Sequence, residues 1–269
     1  MTEIDHSEQK ARIRDQFTRT AEVFGNFAVA TRGGEADWLA KALRVGRSDR
    51  AVDVACGPGT IALRIAPQVR WVCGVDLTPA ILSRAKESAA KEGLANVGFA
   101  IADAGQLPFS EASLDIALTS YSLHHMPDAG QVIAEMARVL RSGGRAGVID
   151  IRVEEDEAVG ELNTRIERIR DASHTRTLRE SEFNRFFARN GLRVIATETR
   201  DHPRQFDHWL HVAGLHHGDA RYAEARKLME STVGNDAAGY HPRYEAATPG
   251  AEKELMITNN VLFIAGEKE

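Results

Sequence analysis

Asp53, Asp76 and Asp103 each close a short apolar run, and His124 and His125 follow a fourth such run. Carboxylates placed this way can accept hydrogen bonds from an ammonium group, from a pair of ribose hydroxyls or from an exocyclic amine, and a histidine beside them can take a proton near neutral pH. The first acid opens the segment Asp53-Val54-Ala55-Cys56-Gly57-Pro58-Gly59-Thr60. Gly57 and Gly59 carry no β-carbon, so the backbone can take positive φ there and a ligand can lie almost on the chain. Ile61 to Ala66 follows with apolar residues at helical spacing. The whole reads as a buried strand, a glycine turn and a helix, and in open α/β sheets ligands sit at such carboxyl ends of strands. A nucleotide-like ligand is expected.

Two kinds of nucleotide compete for that turn. Gly57-Pro58-Gly59-Thr60-Ile61-Ala62 fits the loose G-x-G-x-x-A dinucleotide pattern, which would suit nicotinamide chemistry. Asp53 argues against it, because a pyrophosphate gains nothing from a carboxylate ahead of the glycines, whereas a ligand with a cationic amino group does. Trp71 to Val75 reads as the second strand, with Asp76 at its tip and a helix over Ala80 to Glu92 after Leu77-Thr78-Pro79. Asp76 is placed for ribose hydroxyls, and it could also cap that helix. Val97 to Ile101 is the third strand; Asp103, just past it, could accept from an adenine amino group or stand as a solvated loop residue. Leu114 to Thr119 is the fourth, followed by Ser120-Tyr121-Ser122-Leu123-His124-His125-Met126-Pro127-Asp128. Gln131 to Leu140 is expected as an amphipathic helix closed by Arg141, Gly143 and Gly144, and Arg145 to Val153 as the fifth strand.

These motifs, in this order, make the chain resemble the class I S-adenosylmethionine-dependent methyltransferases. It is most similar to the branch that holds the quinone-biosynthesis enzymes and many small-molecule methyltransferases, over roughly Asp49 to Asp150. One departure is Ala55, where the family often has glycine. The resemblance implies S-adenosyl-L-methionine as cofactor, bound around Asp53, Ala55, Cys56, Gly57, Gly59, Asp76, Leu77, Asp103, Ala104 and Ser120. It also implies methyl transfer to a small-molecule acceptor, with His124 and His125 beside the transferred methyl as candidate bases. Such a methyl is already activated, so alignment and exclusion of water do most of the work and a base is optional. Methylation of a quinone ring carbon is the alternative within the class. A nicotinamide-dependent oxidoreductase or a non-catalytic cofactor-binding module is the alternative outside it. Ser120-Tyr121-Ser122 stands where an Asn/Asp-Pro-Pro-aromatic motif would orient an exocyclic amine, which weighs against DNA adenine methylation.

The elements that must position these residues fit one domain. A chain of 269 residues, 43% hydrophobic and 27% charged, is long enough for one α/β domain with insertions. The expected fold is a Rossmann-like, doubly wound, seven-stranded sheet, mostly parallel with an antiparallel last strand, plus helical lid insertions. Residues 1–35 form a helical lid, 36–153 the cofactor-binding core, and 154–269 the substrate-side insertions and last two strands. No run approaches a membrane span and the first ten residues lack a signal-peptide core. Two cysteines are too few for a disulfide framework, so a cytoplasmic setting is expected. The net charge of −5 argues against a nucleic-acid substrate. A monomer or homodimer is expected.

The flanks are expected to choose the acceptor. Phe17, Phe24 and Phe27 read as a helix or helix pair that packs on the sheet edge, covers cofactor and acceptor, or does both; Tyr121 joins them from the core. Residues 154–181 hold a helix with Leu162, Ile166 and Ile169 inward, then His174 and Arg176, assigned to the acceptor side. Ser181 is expected to cap a helix over Glu182 to Asn190, with the sixth strand over Leu192 to Thr199. An insertion spans 201–255, and Asn259 to Gly266 is expected as an antiparallel strand at the sheet edge. His208, His211, His216 and His217 do not form a ligand set for a metal, and none is expected. They suit the polar face of a helix whose Trp209, Leu210 and Val212 point inward.

Overall fold

The computed structural model describes residues 5–31, 33–246, 248 and 251–269. The lid expected over 1–35 therefore has residues 1–4 and 32 outside the described residues. The central sheet has the order β3-β2-β1-β4-β5-β9-β7. β1 (Arg50–Val54) pairs in parallel with β2 (Trp71–Asp76) and β4 (Leu114–Ser120), β2 with β3 (Val97–Ile101), and β4 with β5 (Leu140–Val153). Strand order reverses between β1 and β4, which opens a crevice at their carboxyl ends. These strands read as nearly continuous apolar runs because helices cover both faces. On one face α3 (Gly33–Ala42) and α4 (Thr60–Ile65) set Leu39, Ile61 and Ile65 on Ile116 and Leu118. On the other, α6 (Ala129–Val139) and α8 (Glu180–Arg189) set Met136 and Phe183 on Val52 and Val75.

The last strand is antiparallel as expected, but it is not an edge. β9 (Lys253–Lys268) lies between β5 and β7 (Leu192–Gln205) and pairs antiparallel with both. Val261, Leu262, Phe263, Ile264 and Ala265 are buried in succession, which needs cover on both faces and so an interior place. The edge belongs to β7, whose exposed Arg193, Thr197, Glu198 and Thr199 blunt it. Two short strands join the seven: β6 (Leu178–Arg179) on β5 and β8 (Arg243–Ala246) on β9.

Other boundaries moved for local reasons. α6 starts at Ala129 because the Asp128 carboxylate caps it, accepting from Gln131 N. It passes at Leu140 straight into extended backbone, so Arg141 to Gly144 belongs to β5 and does not cap the helix. α8 begins at Glu180; Arg179 is its cap residue, its N–H held by Glu182, while Ser181 bonds Glu155 instead. β7 runs on to Gln205, inside the region expected as an insertion. Beyond it α9 (Phe206–Val212), α10 (Ala220–Glu230) and α7 (Glu157–Arg170) close a third core around Ile166, Phe206, Trp209 and Tyr240. α5 (Pro79–Lys91) follows β2, and α1 (His6–Arg19) and α2 (Ala21–Thr31) lie over the crevice. Among the described residues no helix is long and apolar enough to cross a membrane.

Candidate active site

A cavity of about 250 Å³ opens at the carboxyl ends of β1, β2, β3 and β4. Its floor is the turn after β1, where Ala55 (φ 53°), Gly57 (φ 54°) and Gly59 (φ 79°) are all left-handed. For Ala55 that conformation costs on the order of 1 kcal/mol which glycine would avoid, so the substitution leaves strain in the floor. A β-carbon at Gly57 would come no closer than 3.7 Å to Ile81 or Phe24, so its φ, and no neighbouring side chain, is what asks for glycine there. Gly59 lies outside the cavity. Its β-carbon would press to 3.1 Å of Ala85 and Phe99, so it serves close packing of the start of α4 against α5 and β3.

Asp53 also lies outside the cavity, which corrects the expectation that its carboxylate reaches a ligand's amino group. It is 1% exposed, and its Oδ2 accepts from Ala62 N at 3.0 Å. α4 is preceded by Gly59, which has no side chain to cap it, so Asp53 supplies the missing acceptor for a first-turn N–H.

Asp76, Leu77, Asp103, Ala104, Cys56 and Ser120 do line the cavity. Asp76 Oδ2 accepts from Gly57 N at 2.9 Å and Oδ1 from Thr78 N at 2.8 Å. Burial pushes its carboxyl above the ordinary value, and those amides only partly offset this. Burial also acts on Asp103, yet the Lys10 ammonium at 2.5 Å and Gly105 N hold it below the ordinary value. Burial, with Asp53 and Asp76 nearby, keeps Cys56 a thiol by pushing its pKa well up. α1 lays His6, Lys10, Ile13 and Phe17 along the roof, a stripe at helical spacing, and α2 adds Phe24. Ser122, Met126 and Gln131 complete the wall.

A second cavity of about 80 Å³ shares Phe17, Phe24, Tyr121 and His125 with the first. Phe27, His124, Arg170, Trp209, Arg204 and Asn259 line the second cavity and not the first. Tyr121 sits at φ 50° and donates its hydroxyl to Glu35 at 2.6 Å. His124 Nδ1 lies 2.5 Å from Asp150 Oδ1, and Asp150 also accepts from Leu123 N and Ile151 N. The carboxylate favours the tautomer with the proton on Nδ1, and the ring lines the second cavity. His125 is different. Its Nδ1 lies 3.2 Å from Ser173 O and 3.1 Å from Ser173 Oγ, and burial with His124 beside it pushes its pKa down to about 4.

Two expected acceptor-side residues are placed elsewhere. His174 is buried behind the pair, its ring stacked 5.2 Å from that of His124, and burial pushes it well below the ordinary value. Arg176 is turned away and spends both terminal nitrogens on Glu182. Asp150, Lys10 and Gln9 were not anticipated. A signal for Asp150 was present, since a carboxylate inside the apolar run Val148 to Ile151 needs a partner once buried. His208, His211, His216 and His217 are exposed while Trp209, Leu210 and Val212 are buried. Among the described residues no group of three or more His, Cys, Asp or Glu could hold a metal ion.

Residues 46–191 match the family described as a methyltransferase domain. YcgJ of Bacillus subtilis, named as an uncharacterized methyltransferase, is 31% identical over 198 residues, covering 74% of this chain and 78% of that protein. The chain belongs to the class I S-adenosylmethionine-dependent methyltransferase family. The crystal structure of YcgJ agrees with a TM-score of 0.80 at 26% identity, over 88% of this chain and 98% of that one. The 27-O-demethylrifamycin SV methyltransferase of Amycolatopsis mediterranei is 40% identical over 116 residues, 42% of this chain and 43% of that protein. The ubiquinone/menaquinone biosynthesis C-methyltransferase UbiE of Brucella anthropi is 32% identical over 154 residues, 53% and 58% of the two chains. Membership in this methyltransferase family sets aside hydride transfer to a nicotinamide, which the glycine pattern had left open.

Proposed function

We propose that this methyltransferase transfers the methyl group of S-adenosylmethionine to a hydroxyl of a small-molecule acceptor held in the second cavity. The observation that carries this reading is the wall common to both cavities, made by Phe17, Phe24, Tyr121 and His125. The larger cavity fits the cofactor by its chemistry. Gly57 leaves the turn's backbone open to a ligand, Asp76 offers a carboxylate to ribose hydroxyls, and Asp103 retains acceptor capacity for an adenine amino group. Ala55, Cys56, Leu77, Ala104 and Ser120 line the remaining wall, while Asp53 and Gly59 hold the turn from beneath. The cofactor supplies a methyl group already activated by its sulfonium sulfur.

The chain's own residues do the rest. Phe17 and Phe24 keep water from the junction, and the aromatic walls orient the acceptor. His124 Nε2 takes the acceptor's proton, and Asp150 stabilises the resulting imidazolium. The narrow second cavity and the net charge of −5 favour a small molecule over a nucleic acid. A hydroxyl acceptor is in keeping with the rifamycin relative's name. A quinone ring carbon is the second reading, favoured by the aromatic walls and by the likeness to UbiE.

Calorimetric titration with S-adenosylhomocysteine tests the cofactor half, with a micromolar or tighter Kd expected. Labelled methyl transfer to phenols, sugar hydroxyls, quinones, tRNA and DNA tests the acceptor half. No binding at micromolar levels would overturn the reading, and label only in nucleic acid would overturn its acceptor.

A further inference from the structure

Gln9 lies on α1 and is 4% exposed, although its side chain is polar. Its Nε2 is 2.9 Å from His125 O, 2.5 Å from Ser173 O and 3.2 Å from Thr175 Oγ1. The first carbonyl belongs to the turn after β4 and the second to the loop after α7. Those two segments also bind each other, through Thr175 Oγ1 on His125 O at 2.7 Å, Thr175 N on His124 O at 2.8 Å, and Ser173 on the His125 ring. One residue further along α1, Lys10 pairs with Asp103 at the far end of the cofactor cavity. Two turns later Phe17 meets the His125 ring edge-on at 5.1 Å. The same helix therefore touches the acid after β3 and the histidine wall of the acceptor cavity.

We propose that Gln9 is a positioning residue that sets the His125 wall only when α1 lies across the cofactor cavity, so that closing the lid and completing the acceptor cavity are one event. This rests on the methyl-transfer reading above. The primary amide carries two hydrogens, one for each carbonyl, so it clamps two segments at a fixed separation. That separation holds Ser173 against His125 Nδ1 and so turns the ring. With α1 lifted, both carbonyls lose the Gln9 amide, His125 O keeps only Thr175 Oγ1, and the ring loses the burial that keeps it neutral. The charged and titratable groups around His125 include His124 on its own turn, Asp150 from β5, Asp171 and His174 from the loop after α7, Glu167 and Arg170 from α7, Arg204 from β7, His208 from α9, and His6 and Lys10 from α1.

The test is ring-nitrogen NMR of the histidine-labelled full chain, with the His125 signal assigned by its loss in His125→Asn, together with hydrogen exchange of α1. In the wild-type chain His125 is expected to stay neutral down to about pH 4. In Gln9→Ala, and in the isosteric Gln9→Glu, which at neutral pH sets a carboxylate against two carbonyls, it is expected to titrate near 6.5, with α1 exchange at least about tenfold faster. Gln16→Ala removes another buried glutamine of α1, bonded to Ala213 O, and is expected to speed exchange without moving His125. An unmoved His125 in both Gln9 variants would overturn the proposal. So would an equal shift in Gln16→Ala, or a wild-type His125 titrating near 6.5. None of these readouts needs cofactor, so failure to bind S-adenosylhomocysteine would count against methyl transfer and leave the clamp to be judged separately.

Discussion

The two cavities that meet at His125 are built in different ways. The larger is floored by the loops that directly follow β1, β2, β3 and β4, and the hydrogen bonds of that floor stay between neighbouring loops: Gly57 and Thr78 on Asp76, Gly105 on Asp103. Helix α1 roofs it and adds the Lys10–Asp103 pair. The smaller takes its walls from α1, α2, α7 and α9, from the turn after β4, and from Arg204 of β7 and Asn259 of β9. Its bonds cross the chain, from Gln9 to His125 and Ser173 and from Gln16 to Ala213. Chemistry divides along the same line. The cofactor side presents carboxylates pinned by backbone amides, and the acceptor side presents aromatic rings and buried histidines.

Away from the wall the two cavities share, a change on one side should leave the other side's measurement intact. The largest effect is expected from His124→Gln, which removes the base. The rate of methyl transfer to a hydroxyl acceptor should fall by about 10²- to 10⁴-fold, with S-adenosylhomocysteine affinity unchanged by calorimetry. A parallel loss of affinity would break the comparison. Asp76→Ala should do the reverse and weaken S-adenosylhomocysteine by about 10- to 100-fold, the worth of lost bonds to a charged group. Because burial raises the Asp76 pKa, affinity of the parent chain should fall with acid earlier than an ordinary carboxyl of 3.8 would dictate. A flat profile down to that value would count against Asp76 as the ribose acceptor.

Gly74→Ala probes the packing beneath the cofactor side. The new β-carbon would lie 2.7 Å from Cys56 Sγ and 2.8 Å from Phe99 Cδ1. A cost of about 1 to 3 kcal/mol in urea unfolding is expected, together with weaker S-adenosylhomocysteine, since Cys56 lines the cavity. The smallest effect should come from Lys10→Ala. The Lys10–Asp103 pair is one-third exposed on each side, so screening limits it to about 1 kcal/mol or less. Asp103 has a folded-state pKa below its ordinary 3.8, so the stability it contributes is present above that value and lost as pH falls through the lowered one. Lys10→Ala should flatten that acid limb, which unfolding at pH 3 and pH 6 would show.

Legibility follows the same division. The ends of β1, β2, β3 and β4 could be read because each strand is a short apolar run, with an acid at or just past the end of the first three and the histidine pair just past the fourth. The role of Asp53 could not be read, because whether a carboxylate faces a ligand or the next helix depends on which amide lies nearest in space. The interior place of β9 was missed because an antiparallel strand buried on both faces looks in sequence like any apolar run. His174 and Arg176 were assigned to the acceptor for lying near the right segment, and packing turned one behind His124 and the other toward Glu182. The stripe of His6, Lys10, Ile13 and Phe17 was visible as a helical face, but not what it faced.

By itself the sequence determined the glycine turn, the acids at strand ends and the alternation of strands and helices, because each is a local pattern of periodicity and turn chemistry; the methyltransferase family came from the resemblance that those motifs carry in their order. Only the tertiary structure decided that Asp53 supports the turn, that Asp150 orients His124, and that Gln9 joins the lid to the histidine wall. Those relations hold between groups far apart in the chain, and they form when burial leaves each polar atom only the partners that packing brings to it.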